Sequence, residues 1–186
     1  MNVLEEAIKF ATDAHSGQIR KMTNTPYILH PLEVAAIIST MTADLDVMAA
    51  GVLHDTVEDC DVDPKEIKRL FGARVSALVQ SETEDRTAVN KTKAESWQER
   101  KEESLLILKL TKDIDVKILW LGDKLSNIRS FYRAYKTKGN AFFEGLNQKD
   151  PAKQGWYYKT IAEYISELKD TFAYKEYVQL VKEVFG

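Results

Sequence analysis

Residues 45–59 read LDVMAAGVLHDTVED, and the fold turns on how that stretch is arranged. Leu45, Met48 and Val52 recur at three- and four-residue spacing, the period of a helix with one apolar face. Continuing the stripe leads to Asp55 and then Asp59, where core residues belong. His54 and Glu58 repeat the four-residue step on the neighbouring face, each pair about 40° apart around the axis. One helix is therefore expected here, capped by Asp44 or Asp46, with four ionisable groups crowding its C-terminal end. Carboxylates are disfavoured at that end of a helix dipole, so the arrangement calls for a compensating positive charge. A divalent cation would supply it.

Outward from this stretch the helical period continues in both directions. Leu4, Ala7, Ile8, Ala11 and Ala14 form a stripe over 3–15, with Gly17 as a stop. Residues 18–30, QIRKMTNTPYILH, contain Pro26 and read as a loop, after which Pro31 opens PLEVAAIISTM. Pro64 starts PKEIKRLF, closed by Gly72, and ARVSALVQSET follows. Residues 84–95 are polar without a period and read as a loop. SWQERKEESLLILKL is expected to be helical, with Ser96 as its cap and Glu99 at capping-box distance. Its Lys/Glu-rich run at 98–103 reads as a solvated face. A long helix follows Asp115, a polar stretch at 137–150 carries Phe142 and Phe143, and Pro151 heads two last helices ending at Phe185. Alternating β-branched runs are nearly absent. The expectation is an all-α fold in one compact helical domain over 1–186, with its core at 3–135 and C-terminal helices at 151–185.

The helix after Asp115 repeats the anomaly of residues 45–59. Ile118, Leu121, Leu125, Ile128 and Tyr132 form one stripe, and Val116, Leu119 and Trp120 a second facing away from it. A helix apolar all round is buried. Asp123 and Asn127 continue the second line inside that region, where a lone carboxylate is expensive. Of the three histidines, His30 precedes a rigid Pro31 and His54 adjoins Asp55. Two imidazoles and two carboxylates suit a borderline-to-hard divalent ion; manganese fits, with iron, magnesium or zinc as alternatives. His15 reads as structural and Cys60 as a packing residue, with no histidine left to activate it. Trp156, Tyr157 and Tyr158 read as core, while Tyr27 either packs under its loop or touches a ligand.

Composition narrows the function. The 186 residues are 44% apolar, enough for a real core, and carry 26 basic against 29 acidic side chains, a net charge of −3. A nucleic-acid polymer as partner is disfavoured by that balance, whereas a small anion needs only a few local cations. A single cysteine rules out an intrachain disulfide. No apolar run approaches the roughly 18 residues of a membrane span. The N-terminus MNVLEEAIKF is not a signal peptide, so the cytoplasm is expected.

The isolated His30, the His54–Asp55 pair and the later Asp123 resemble the HD-domain metal-dependent phosphohydrolases. More narrowly, QIRKMTNTPYILHPLEVA, GVLHDTVEDCDV with PKEIKRLFG, and LGDKLSN resemble the RelA/SpoT-type alarmone hydrolases, including the small stand-alone ones. The resemblance covers residues 5–130. It implies that His30, His54, Asp55 and Asp123 hold the metal. Glu58 and Asp59 would position or deprotonate the attacking water. Arg20 and Lys21 would contact the nucleotide, with Asn127 and Ser130 in its pocket. The implied reaction removes the 3′-pyrophosphate of ppGpp, a small nucleotide substrate, with a homo-oligomer left open. Two features depart from the family. Gly122 stands where an alanine is usual, and segment 82–103 differs from the alarmone-hydrolase pattern. The tail FFEGLNQKDPAKQGWYYKTI resembles that of small HD proteins of uncertain substrate. The alternatives are therefore an HD phosphohydrolase of another nucleotide or phosphate ester, and a non-catalytic nucleotide sensor. Nothing resembles the synthetase domain, so no alarmone synthesis is expected.

Overall fold

The structure is a computed structural model and describes residues 1–21, 23–84, 92 and 95–186. Most of the chain is helical, and side-chain oxygens start most of the helices. Asn2 and Glu5 form a capping box on α1 (Val3–Ala14). Asp44 caps α3 (Leu45–Leu53), Asp63 caps α5 (Pro64–Glu82) and Asp113 caps α7 (Ile114–Lys138). Asp150 and Thr171 do the same for α8 (Pro151–Tyr164) and α9 (Phe172–Phe185). Each accepts a backbone N–H that would otherwise lack a partner.

Several sequence expectations shift in detail. The helix α2 spans Leu29–Ile38, so His30 lies in its first turn rather than in the loop before Pro31. Residues 18–30 are not wholly loop: β1 (Ile19–Arg20) pairs antiparallel with β2 (Thr25–Pro26), Arg20 opposite Thr25, and Asn24 at φ 53° turns the chain between them. Ser96 does not cap α6 (Trp97–Leu110); its hydroxyl donates to the Thr92 carbonyl. Thr92 and Glu95 instead exchange the reciprocal bonds of a capping box just ahead of the helix. The polar loop expected at 84–95 lies mostly outside the described residues. Gly72, at φ 90° and ψ 168°, kinks α5 where the sequence placed a stop. Residues Gly139–Gly145 form a 3-10 turn that buries Phe142 and Phe143.

The expected single helix over 45–59 is two. α3 ends at Leu53 and α4 (Thr56–Asp59) restarts after His54 and Asp55. Side chains take over the carbonyls at the break: His54 Nδ1 lies 2.9 Å from the Gly51 oxygen, and the Thr56 hydroxyl donates to Leu53 O at 2.7 Å.

The core gathers around α7, whose buried residues run all round the helix from Val116 to Phe131. α2 packs between α3 and α7, and α9 covers another face of α7. Close approach of the first three depends on Gly51 and Gly122: a Cβ on Gly51 would meet Ile38 Cδ1 at 2.5 Å, and one on Gly122 would meet Ile38 Cγ1 at 2.9 Å. Ile38 itself is fully buried. A side chain at position 122 would have to displace the Ile38 side chain, which glycine avoids. No helix among the described residues is long and apolar enough to cross a membrane.

Candidate metal centre

Four residues from three places in the sequence converge where α2, α7 and the α3–α4 break meet. His30 and His54 are buried, as is Asp123, and Asp55 is half-buried. Hydrogen bonds set the tautomers. The Ser126 hydroxyl donates to Glu33 Oε2 at 2.7 Å, so it accepts from His30 Nδ1 at 2.8 Å. His54 Nδ1 faces the Gly51 carbonyl, which can only accept. In each neutral ring the proton therefore sits on Nδ1, and Nε2 presents a lone pair.

Both lone pairs turn toward the same carboxylates. His30 Nε2 stands 3.0 Å from Asp123 Oδ1 and 3.5 Å from Asp55 Oδ2. His54 Nε2 stands 3.0 Å from Asp55 Oδ2 and 3.6 Å from Asp123 Oδ1, and it is buried without a hydrogen-bond partner among the described residues. The donor atoms of His30, His54 and Asp55 lie within 4.8 Å of one another, making these three possible ligands of a metal ion. Asp123 adds its oxygen beside them. With both rings neutral, electron-rich atoms of all four side chains face one another, which fits a divalent cation.

The electrostatics agree. Burial would raise Asp123, but the Lys124 ammonium and the two imidazoles hold its carboxyl well below the usual range. Burial opposes a charge on His54 as well, yet Asp55 and Asp123 outweigh it and draw a proton there. On His30 burial wins and the affinity for a proton falls. Protons and a cation compete for one place.

A cavity of about 320 Å³ opens from this cluster, and Glu58 and Asp59 of α4 line it. Glu58 Oε1 accepts from the Glu84 backbone N–H. Tyr27, left open between packing and ligand contact, donates its hydroxyl to Asp55 Oδ2 at 2.7 Å and lies 3.5 Å from Asp59 Oδ2. A second, outer groove of about 600 Å³ shares Tyr27, Asp59, Asn127, Leu146 and Asn147 with the first, and Arg20 and Lys21 line it. The small ribbon aims Arg20 across to α7, where it donates to Asn127 Oδ1 at 2.9 Å and Ser130 Oγ at 3.3 Å. Lys21 is exposed. Arg20, Asn127 and Ser130 are thus brought together beside the cluster, although Ser130 is buried beneath the other two.

Two sequence readings need correction. Cys60 does have a histidine: its sulfur lies 3.2 Å from His15 Nδ1. Burial nevertheless pushes its thiol up, so it remains a packing residue. The run at 98–103 is not only a solvated face, because Arg100 and Lys101 turn inward and pair with Glu84. The sequence reading also missed Lys124 and Glu82. Lys124 is buried between Asp123 and Glu82, 3.0 Å from Glu82 Oε1. Burial, only partly offset by Lys124, raises the Glu82 carboxyl to about 7. Its signal was available: Val75, Leu78 and Val79 form a helical stripe that Glu82 continues, the anomaly already recognised at Asp55.

Comparison with known proteins places this geometry. Over 132 residues the chain is 34% identical to the guanosine-3′,5′-bis(diphosphate) 3′-pyrophosphohydrolase of Vibrio cholerae, covering 70% of the chain and 18% of that protein. The protein of the same name from Aquifex aeolicus is 38% identical over 129 residues, covering 69% and 18%. A chloroplastic putative GTP diphosphokinase of Oryza sativa is 38% identical over 136 residues, covering 70% and 15%. The chain thus spans less than a fifth of the length of these curated relatives. Among solved structures, a metazoan ortholog of SpoT that hydrolyses ppGpp superposes with a TM-score of 0.79 at 24% identity, over 98% of this chain and 96% of that one. The protein lmo0812 from Listeria monocytogenes superposes with a TM-score of 0.73 at 31% identity, over 84% and 98%. The first of these likenesses establishes the all-helical architecture. The HD-domain family model matches residues 7–146, a span that contains both histidines, Asp55 and Asp123, and the chain belongs to the HD-domain family.

Proposed function

We propose that the chain is a metal-dependent pyrophosphohydrolase that converts guanosine-3′,5′-bis(diphosphate) and water to GDP and pyrophosphate. One observation carries the reading: two imidazole lone pairs face the carboxylates of buried Asp123 and half-buried Asp55, with Glu58 and Asp59 lining the cavity beside them. The names of the curated relatives support the substrate. His30, His54, Asp55 and Asp123 are the proposed metal ligands. When bound, a divalent ion there supplies Lewis acidity toward a phosphoryl oxygen and acidifies a nearby water. The mixed nitrogen and oxygen donors favour manganese.

The protein's own groups do the rest. Glu58 or Asp59 orients the water and accepts its proton as the water oxygen bonds to the phosphorus on the ribose 3′ oxygen. The bond from that phosphorus to the 3′ oxygen breaks, and the 3′ oxygen takes up a proton to become a hydroxyl. Arg20 and Lys21 neutralise the nucleotide's charge, and the planar guanidinium also offers a face to the base. Asn127 and Ser130 hold Arg20 in place, and Asn127 lines the nucleotide's side of the site. The substrate makes the cytoplasm the proposed compartment. We further propose that residues 1–186 work as one HD unit, because Arg129 on α7 ties Glu33 of α2 to Glu176 of α9.

The test is metal analysis of the purified chain followed by incubation with ppGpp. Equal release of GDP and pyrophosphate is expected. No release from ppGpp, with turnover of another member of a nucleotide panel, would move the assignment to a second reading, hydrolysis of a different nucleotide or phosphate ester. That reading is favoured by the acidic residues Glu82 and Glu84 set among the cavity's cations.

A further inference from the structure

The inner wall of the cavity, away from the outer groove, carries a second group of charges that the reaction above leaves unused. Arg100 and Lys101 reach it from α6, and Lys124 from α7. Arg20 and Lys21 line only the outer groove, whereas Arg100, Lys101 and Lys124 line only the inner cavity. Cations thus stand on both sides of the metal cluster.

Glu84 rests on two of these inner cations. One carboxylate oxygen pairs with Arg100 Nη1, and the other lies 2.5 Å from Lys101 Nζ. A carboxylate bridging a guanidinium and an ammonium is arranged as an edge of a phosphate would be. Those two cations hold the Glu84 carboxyl ionised, below its ordinary range despite burial.

Tyr157 gives an independent sign. The residue is buried, with 3% of its surface exposed, and its hydroxyl has no hydrogen-bond partner among the described residues. Lys101 Nζ stands 4.7 Å over its ring. Burial keeps the phenol protonated, so the group is a donor. A donor left without an acceptor, beside ammonium groups that are donors too, calls for a ligand rich in acceptor oxygens.

We propose that Arg100, Lys101, Lys124 and Tyr157 seat the phosphoryl group farthest from the nucleoside, and that Glu84 occupies this seat until the substrate displaces it. The identity of the anion rests on the pyrophosphohydrolase reading. In a 3′-pyrophosphate the ribose is attached to the first phosphorus and the second lies beyond it. A nucleoside in the outer groove with its first phosphorus at the metal cluster therefore sends the second toward the inner wall. Exchanging one anion for another leaves the buried cations compensated throughout. Glu84 then sets a threshold: a ligand must bring more negative charge than a single carboxylate to take its place.

Calorimetric titration of inorganic pyrophosphate into the manganese-loaded full chain tests this, comparing wild type with Glu84→Gln and Lys101→Gln. Removing the Glu84 charge should tighten pyrophosphate binding about tenfold, and removing the Lys101 charge should weaken it about tenfold, with metal content unchanged in both. Loss of binding in Lys101→Gln could reflect damage to the fold, but a gain in Glu84→Gln could not. Equal affinity in all three proteins would overturn the proposal. If ppGpp is cleaved and the affinities are equal, the seat falls and the substrate reading stands. If ppGpp is inert and the affinities split as stated, the seat stands and the substrate reading falls.

Discussion

The side chains at the cluster differ in what they can lose. Asp55 takes the Tyr27 hydroxyl and lies near both imidazoles, so its carboxylate is both a proposed ligand and an anchor. Asp55→Asn keeps the shape but not the charge, and should cost at least about tenfold in metal affinity, read by metal titration. Glu58→Gln should behave differently: metal content stays at the wild-type level while kcat falls by about two to three orders of magnitude. If kcat survives in Glu58→Gln but not in Asp59→Asn, the proton acceptor is Asp59. Glu82 makes a prediction about stability. Its carboxyl moves from 4.5 unfolded to about 7 folded, so the folded chain holds the extra proton between those values. The stability that this one carboxyl contributes should therefore fall by about 3 kcal/mol as pH rises through that window. Urea midpoints of metal-free protein at pH 5 and pH 8 measure this, and Glu82→Gln should flatten the decline.

At the scale of helices, the contact between α2, α3 and α7 rests on two missing methyl groups. Gly51→Ala should destabilise the chain by about 1–3 kcal/mol, because its Cβ lands on the buried Ile38 Cδ1. Ile38→Val removes that atom, so the double variant should recover part of the loss in a thermal melt; additive losses would place the strain elsewhere. Both glycines and Ile38 were legible as helix positions, but their mutual contact joins residues far apart in sequence and has no local signature. The same limit runs through the site. The anomalous acids Asp55 and Asp123 could be read from a helical wheel because each interrupts an apolar stripe. His30 carried no such mark, and the family resemblance was needed to pair it with them. The break between α3 and α4 was hidden because His54 and Thr56 satisfy the freed carbonyls with side-chain donors, a choice that period and propensity do not encode. Arg100 and Lys101 looked solvated because the acid that turns them inward, Glu84, precedes them by 16 and 17 residues.

Across the whole molecule, the C-terminal helices are bound into the HD core rather than appended to it. Tyr177 of α9 is fully buried, and its hydroxyl donates to the Tyr158 carbonyl at 2.9 Å. Tyr177→Ala should cost about 3–5 kcal/mol, as deleting a large core ring does. Tyr177→Phe should cost only about 1 kcal/mol, the net value of one hydrogen bond. A larger loss in the phenylalanine variant would mean that the hydroxyl organises more than its one acceptor. Arg129 extends the same union toward the cluster. It holds Glu176 with two nitrogens at 2.7 Å each and Glu33 at 3.1 Å; Glu33 in turn takes the Ser126 hydroxyl that faces His30. The imidazole of His30 is consequently an internal gauge of the far end of the chain. A nitrogen-15 label in that ring would register, as a change of resonance, any shift in the seating of the final helix, long before the helix itself came loose.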